Sequence, residues 1–126
     1  MNQRRVLDVG NCGPDHSSIR RMLTSNFGAE VIQTDGLADT LTALQENSID
    51  LVLINRKLDN DYSDGIVILE QIKSKPDYSD LPVMLITNYE EHQAKAVALG
   101  ALPGFGKLEI NSAKTRAKLA SVLEVG

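Results

Sequence analysis

Side chains able to do chemistry stand in this chain mainly at the ends of apolar runs. Asn55 closes the run IDLVLIN, Thr87 closes LPVMLIT, and Lys107 follows LPGFG. Asn11 and Cys12 follow RVLDVG near the start. The segment GNCGPDH lacks the lysine and the glycine spacing of a phosphate-binding loop or a dinucleotide fingerprint. The two histidines of the sequence give no Ser-His-Asp or Cys-His arrangement, so we expect neither an enzyme nor a bound nucleotide or flavin.

Composition limits the class of protein. The 126 residues match one domain of usual size, and 42% hydrophobic residues are enough for a core. The net charge of −4, with no basic cluster, disfavours direct binding to nucleic acid. The single cysteine excludes an internal disulfide, and no apolar run approaches the roughly 20 residues of a membrane span. We therefore expect one cytoplasmic domain over residues 1–126, away from the membrane.

Apolar runs of strand length alternate with segments of helical period, which indicates an α/β domain with a parallel sheet. The strand candidates are Arg4 to Val9, Ala29 to Thr34, Ile49 to Asn55, Pro82 to Thr87 and Leu102 to Gly106. Helices are predicted to begin near Pro14, Leu37, Asp64, Glu90 and Ile110, with Asp64 and Asn88 as caps. The third and fourth strands are nearly continuous apolar runs, which is typical of strands covered on both faces.

These alternating units predict a flavodoxin-like, three-layer αβα sandwich with a five-stranded parallel sheet of order 2-1-3-4-5 and five helices. Ligands of such folds bind beyond the carboxyl ends of the strands, where the strand order reverses. Asn11, Cys12, Asn55, Thr87 and Lys107 all follow strands at that edge. A functional crevice is therefore expected there.

Three segments together resemble the receiver domain of two-component response regulators, over essentially the whole chain. Asp50 leads DLVLIN and Gly65 opens the next helix, LPVMLIT is similar to the family's fourth strand, and in ALGALPGFGKLEI a Gly-Ala pair precedes the lysine by seven and six residues. The resemblance implies a domain that accepts a phosphoryl group on an aspartate of the third strand. It also implies Mg²⁺ held by an acidic pair after the first strand.

Carried to this chain, the resemblance implies a degenerate site, often called a pseudo-receiver. The phosphoacceptor position falls on Asn55, whose amide is a poor nucleophile. The acidic-pair positions fall on Asn11 and Cys12, and neither is a ligand that Mg²⁺ prefers. Thr87 and Lys107 match the hydroxyl and the lysine that contact the phosphoryl oxygens. We therefore expect no catalytic residue, no metal and no cofactor.

The sequence departs from the family pattern at the threonine-aromatic switch. The aromatic position, three residues before the lysine, is Gly104, and Phe105 stands one place off. Leu108 replaces the proline that usually follows the lysine. Because an unpaired buried ammonium is costly, we hypothesise that Lys107 hydrogen-bonds to Asn55 in a metal-free pocket. The Asn55 amide has a structural interpretation as well, in which it satisfies loop backbone groups.

Acidic residues near the crevice leave alternatives open. Asp8 interrupts a strand that should be apolar, either as a solvated residue or as a displaced carboxylate that reaches the crevice. Asp15 suits the first turn of a helix, and His16 is expected to be exposed. One hypothesis is a receiver that acts by protein contacts without phosphorylation. The other is a receiver that accepts phosphate on Asp8 or Asp59 with Mg²⁺.

Partners are expected to be other signalling proteins, such as a histidine kinase or an output protein. Ordinary receivers dimerise or bind partners through helix 4, strand 5 and helix 5. The corresponding face would include Glu90, Glu91, Gln93 and Lys95, with Lys114, Arg116 and Lys118 opposite. Its charges of both signs could pair in a homodimer. A solvated monomer surface is the other interpretation.

Overall fold

Strands and helices alternate along residues 3–124, the part of the chain that the computed structural model describes. The strands are β1 (Arg5–Val9), β2 (Glu30–Thr34), β3 (Leu51–Asn55), β4 (Val83–Ile86) and β5 (Leu102–Phe105). The helices are α1 (Gly13–Phe27), α2 (Leu37–Glu46), α3 (Gly65–Lys73), α4 (Glu90–Ala98) and α5 (Ala113–Leu123). All neighbouring strands run parallel, in the order β2-β1-β3-β4-β5. The predicted flavodoxin-like fold is confirmed.

Helices cover both faces of the sheet. One core cluster joins β1, β3 and β4 to α2, α3 and α4, and a second joins the opposite face of these strands to α1 and α5. Successive side chains of a strand point to opposite faces, so a strand between two helical layers must be apolar at every position. Every residue of β3 and β4 is buried, as their continuous apolar runs predict.

One predicted helix start and one predicted helix cap differ from the structure. The last helix begins at Ala113, after a short 3-10 turn at Lys107–Glu109, and the Ser112 side chain caps it by accepting from Thr115 N. Ile110, the predicted start, is instead buried in the core below this turn. Asp64 caps α3 as predicted, accepting from Ile66 N at 3.0 Å.

Asn88 does not cap α4. The N-cap residue is Tyr89, and it makes no side-chain capping bond. The Asn88 Oδ1 atom accepts instead from the backbone N–H of Leu108, beyond β5. This asparagine therefore joins two loops at the carboxyl edge of the sheet. Among residues 3–124, no helix is both long and apolar enough to cross a membrane.

Candidate functional site

The predicted site residues lie at one edge of the sheet. Asn55 is the last residue of β3, and Thr87 directly follows β4. Asn11 and Cys12 follow β1 and lead into α1, while Lys107 follows β5. Because the strands are parallel, these loops meet at their carboxyl ends, as the order 2-1-3-4-5 predicts.

The Asn55 side chain binds the backbone of two neighbouring loops. Its Nδ2 atom donates to the carbonyl oxygen of Lys57 at 2.7 Å and to that of Gly10 at 3.2 Å. Asn55 is only 7% exposed, so these bonds satisfy an amide that would otherwise be costly to bury. The structural interpretation of Asn55 therefore agrees with its contacts.

Gly65 closes the same loop from the α3 side. Its backbone N–H donates to Arg56 O at 2.7 Å, and a Cβ atom there would lie only 2.2 Å from the carbonyl oxygen of Asn55. Only glycine permits the start of α3 to approach the end of β3 this closely. The backbone around Asn55 is thus held from both sides.

Lys107 pairs with a residue that differs from the predicted one. Its Nζ atom lies 2.7 Å from Asp15 Oδ2 in the first turn of α1, and the hypothesis that it binds Asn55 is wrong. The hydrogen bond from Lys107 lowers the pKa of Asp15 below its usual value. Cys12 Sγ donates to the same carboxylate oxygen at 3.2 Å. The ammonium is therefore neutralised by an acid supplied from α1, which the Asn55 amide could not do.

Asp8 is fully buried beneath the start of α1, so the interpretation of a solvated residue is wrong. Its Oδ1 atom accepts from Asn11 Nδ2 at 2.5 Å, and its Oδ2 atom lies 2.6 Å from His16 Nδ1. Burial raises the pKa of Asp8, and the bonds to His16 and Asn11 oppose that rise. His16, expected to be exposed, has a side chain only 16% exposed because it faces Asp8.

The residues after β1 do not fit the Mg²⁺ that the resemblance implies. The two acidic-pair positions supply an amide and a thiol, Asn11 and Cys12, and Mg²⁺ prefers carboxylate oxygens. Both oxygens of the nearby Asp8 are engaged by neighbouring side chains. Between residues 3 and 124, no group of three or more His, Cys, Asp and Glu is placed to hold a metal ion.

Thr87 is engaged by the start of α4. Its Oγ1 atom accepts from Tyr89 N at 3.3 Å and lies 3.2 Å from His92 Nδ1. His92 is half-buried against this hydroxyl. Phe105, next to the predicted aromatic position, is 3% exposed and packs in the core cluster under α1 and α5.

The doubly wound parallel sheet, with loops that meet at its carboxyl edge, defines an α/β domain of the flavodoxin-like type. The sequence profile of the response regulator receiver domain matches residues 15–103. This match spans more than half of the chain, which therefore belongs to the response regulator receiver domain family. Members of this family work with histidine kinases and other signalling proteins in two-component systems.

Solved structures agree with this fold. The receiver domain of a DNA-binding response regulator from Colwellia psychrerythraea 34H superimposes with a TM-score of 0.84 at 21% identity, covering 98% of this chain and 100% of that one. The N-terminal receiver domain of a response regulator from Bacteroides fragilis gives 0.79 at 21% identity, covering 99% and 100%. The receiver domain of NtrX from Brucella abortus gives 0.75 at 22% identity, covering 96% and 99%.

Sequence reasoning placed the crevice residues but missed their partners. Asp15 and His16 both lie in the first turn of α1, and they bind Lys107 and Asp8 respectively. The signal for His16 was available, since a carboxylate inside an apolar strand must find a donor. No comparable signal identifies Asp15, because any acid in a first helical turn is explained by the helix dipole.

Proposed function

We propose that this receiver acts through contacts with other signalling proteins and does not accept a phosphoryl group. The observation that carries the proposal is the side chain at the end of β3. Asn55 presents an amide there, and its nitrogen is committed to the carbonyls of Gly10 and Lys57. An amide is a poor nucleophile and cannot form the acyl phosphate that an aspartate forms.

The state of Lys107 supports the same proposal. In phosphoryl transfer, a cation must be free to stabilise the charge on the transferring oxygens. Here the ammonium is held at 2.7 Å by Asp15 from α1. The site thus supplies its own anion for the lysine.

The alternative is phosphorylation of another acid with Mg²⁺. Asp8 is a poor candidate because it has no exposed surface and both its oxygens have partners. Asp59 is exposed, and its backbone N–H donates to Gly10 O at 2.9 Å, which places it beside the crevice. Asp59 is therefore the acid to monitor in the experiment.

The test is incubation of the full chain with acetyl phosphate and Mg²⁺, followed by intact-mass measurement. We expect no gain of mass in the wild type and little in Asn55→Asp, which lacks acidic partners for the metal. The matched positive control is the triple variant Asn11→Asp, Cys12→Asp, Asn55→Asp. A wild-type chain that gains one phosphoryl group would overturn the proposal, and peptide mapping would show whether Asp59 carries it.

The partner surface is proposed to be the face formed by α4, β5 and α5. Large apolar side chains are exposed there: Tyr89 by 62%, Val97 by 42% and Leu102 by 39%. Acidic residues at the start of α4 and basic residues on α5 add charges of both signs, from Glu90, Glu91, Lys114 and Arg116. Two residues assigned to this surface from the sequence, Gln93 and Lys118, turn inward and bind backbone atoms of β4 and β5.

A homodimer through this face is one form of the proposal. Sedimentation equilibrium of the wild type should show self-association that Val97→Glu weakens. The matched control is Val67→Glu, which places the same charge on an exposed valine of α3, outside the face. Equal behaviour of the two variants would point to a partner other than a second copy, or to a different surface.

A further inference from the structure

Strand β5 contains an irregularity next to β4. Met84 pairs with Leu102 and Ile86 pairs with Phe105, so a two-residue step on β4 faces a three-residue step on β5. An extra residue of this kind breaks the regular ladder and leaves backbone groups without their usual partners. The groups concerned here are the carbonyl of Leu85 and the N–H of Gly104.

The side chain of Gln93 in α4 binds both of these groups. Its Nε2 atom donates to Leu85 O at 2.9 Å and to Thr87 O at 3.3 Å, while its Oε1 atom accepts from Gly104 N at 2.9 Å. A primary amide offers the same donor and acceptor as a peptide group. Gln93 therefore replaces, from outside the sheet, the peptide contact that the bulge removes.

The close approach of β5 to β4 at Gly104 leaves no room for a side chain. A Cβ atom at this position would lie 2.2 Å from Leu85 O and 3.2 Å from Gln93 Oε1, so a side chain would push β5 away from β4. Its carbonyl oxygen accepts from Lys118 Nζ of α5 at 2.8 Å. One residue of β5 is thus bound by side chains from both α4 and α5.

We propose that Gln93 is a positioning residue, an intramolecular staple that completes the β4–β5 edge and fixes α4 against β5. This deepens the proposed function, because the staple sets the conformation of the face proposed to bind partners. All three of the staple's contacts are to backbone atoms, those of Leu85, Thr87 and Gly104.

The experiment is hydrogen exchange by mass spectrometry on the full chain, with Gln93→Leu compared with Gln45→Leu, a change at an exposed glutamine of α2. In Gln93→Leu, peptides covering Gly104 and α4 should exchange about tenfold faster, while those of β3 stay unchanged. Gln45→Leu should match the wild type throughout. Unchanged exchange at Gly104 in Gln93→Leu would overturn the staple.

A second variant gives an independent readout that global loss of structure would not reproduce. Gln93→Glu has almost the same shape, but its ionised carboxylate cannot donate to Leu85 O. Near pH 4 a substantial part of such a carboxyl is protonated, because its ordinary pKa is about 4.3, and it then donates and accepts as the amide does. At pH 7 repulsion between the carboxylate and the carbonyl oxygens of Leu85 and Thr87 should displace the side chain from Gly104 N. Relative to the wild type at the same pH, exchange at Gly104 should therefore be fast at pH 7 and recover near pH 4. Equal protection at both pH values would contradict the proposal, whatever the result with acetyl phosphate.

Discussion

Replacing His16 by leucine should destabilise the protein by an amount that depends on pH. The change removes the 2.6 Å contact between the imidazole and Asp8 and substitutes an apolar side chain of similar size. A hydrogen bond to a charged group contributes about 1.5–3 kcal/mol, and the His16 side chain is only 16% exposed, so solvent screening is weak. Because Asn11 still donates to Asp8, we expect a loss of about 2 kcal/mol at pH 7.

The pH dependence follows from the raised pKa of Asp8. A folded-state carboxyl with a raised pKa contributes stability that is complete below the unfolded pKa, about 3.9, and lost as the pH rises through the folded value. Burial raises the pKa of Asp8, and the bond to His16 is the largest contribution opposing the rise. Without His16 the pKa of Asp8 rises further, so the variant loses more stability between pH 4 and pH 7 than the wild type.

The assay is urea denaturation followed by circular dichroism at pH 4 and pH 7. The control is His92→Leu, which removes a histidine that faces the hydroxyl of Thr87 and no carboxylate. The difference between wild type and His16→Leu should grow from pH 4 to pH 7, and that for His92→Leu should not grow in this way. A loss for His16→Leu that is equal at both pH values, or absent at pH 7, would refute this account of the buried pair.

Three further predictions concern the crevice. Lys107→Gln should cost under about 1 kcal/mol, because the side chains of Lys107 and Asp15 are 35% and 31% exposed, and high salt should abolish the loss in urea titrations. The Lys107 bond lowers the pKa of Asp15, so this contribution is present at neutral pH and disappears as the pH falls through the folded value. Gly65→Ala should lower the free energy of unfolding by about 2 kcal/mol or more, because the new Cβ overlaps Asn55 O. The control is Gly36→Ala, since a Cβ at Gly36 meets nothing within 4 Å, and thermal melting should show a lower melting temperature for Gly65→Ala than for Gly36→Ala. Millimolar Mg²⁺ should leave the melting temperature unchanged, since a bound ion would raise it by mass action.

The fold was predictable because its two central strands have an unambiguous pattern. LVLI and VMLI are apolar at consecutive positions, which is typical of strands covered on both faces. The start of α5 was not predictable in the same way. Ile110 looks like the first apolar residue of a helical stripe, and its burial below a 3-10 turn depends on how β5 ends against the core.

The crevice was predictable in its position and incomplete in its contacts. Strand order alone delivers Asn55, Thr87 and Lys107 to one edge of the sheet. The partner of Lys107 depends on the path of α1 across that edge, and residues 15 and 107 are far apart in sequence. Gln93 was assigned to an exposed surface because an amide in a helix gives no indication that a bulge elsewhere needs it.

The measurement that tests the central claim most directly is the amide NMR spectrum of the full chain before and after addition of Mg²⁺ and acetyl phosphate. If the receiver acts without phosphorylation, the signals of Thr87, Gly104, Lys107 and α4 keep their positions. A new set of signals at these residues, together with a gain of one phosphoryl group in the same sample, would contradict the account.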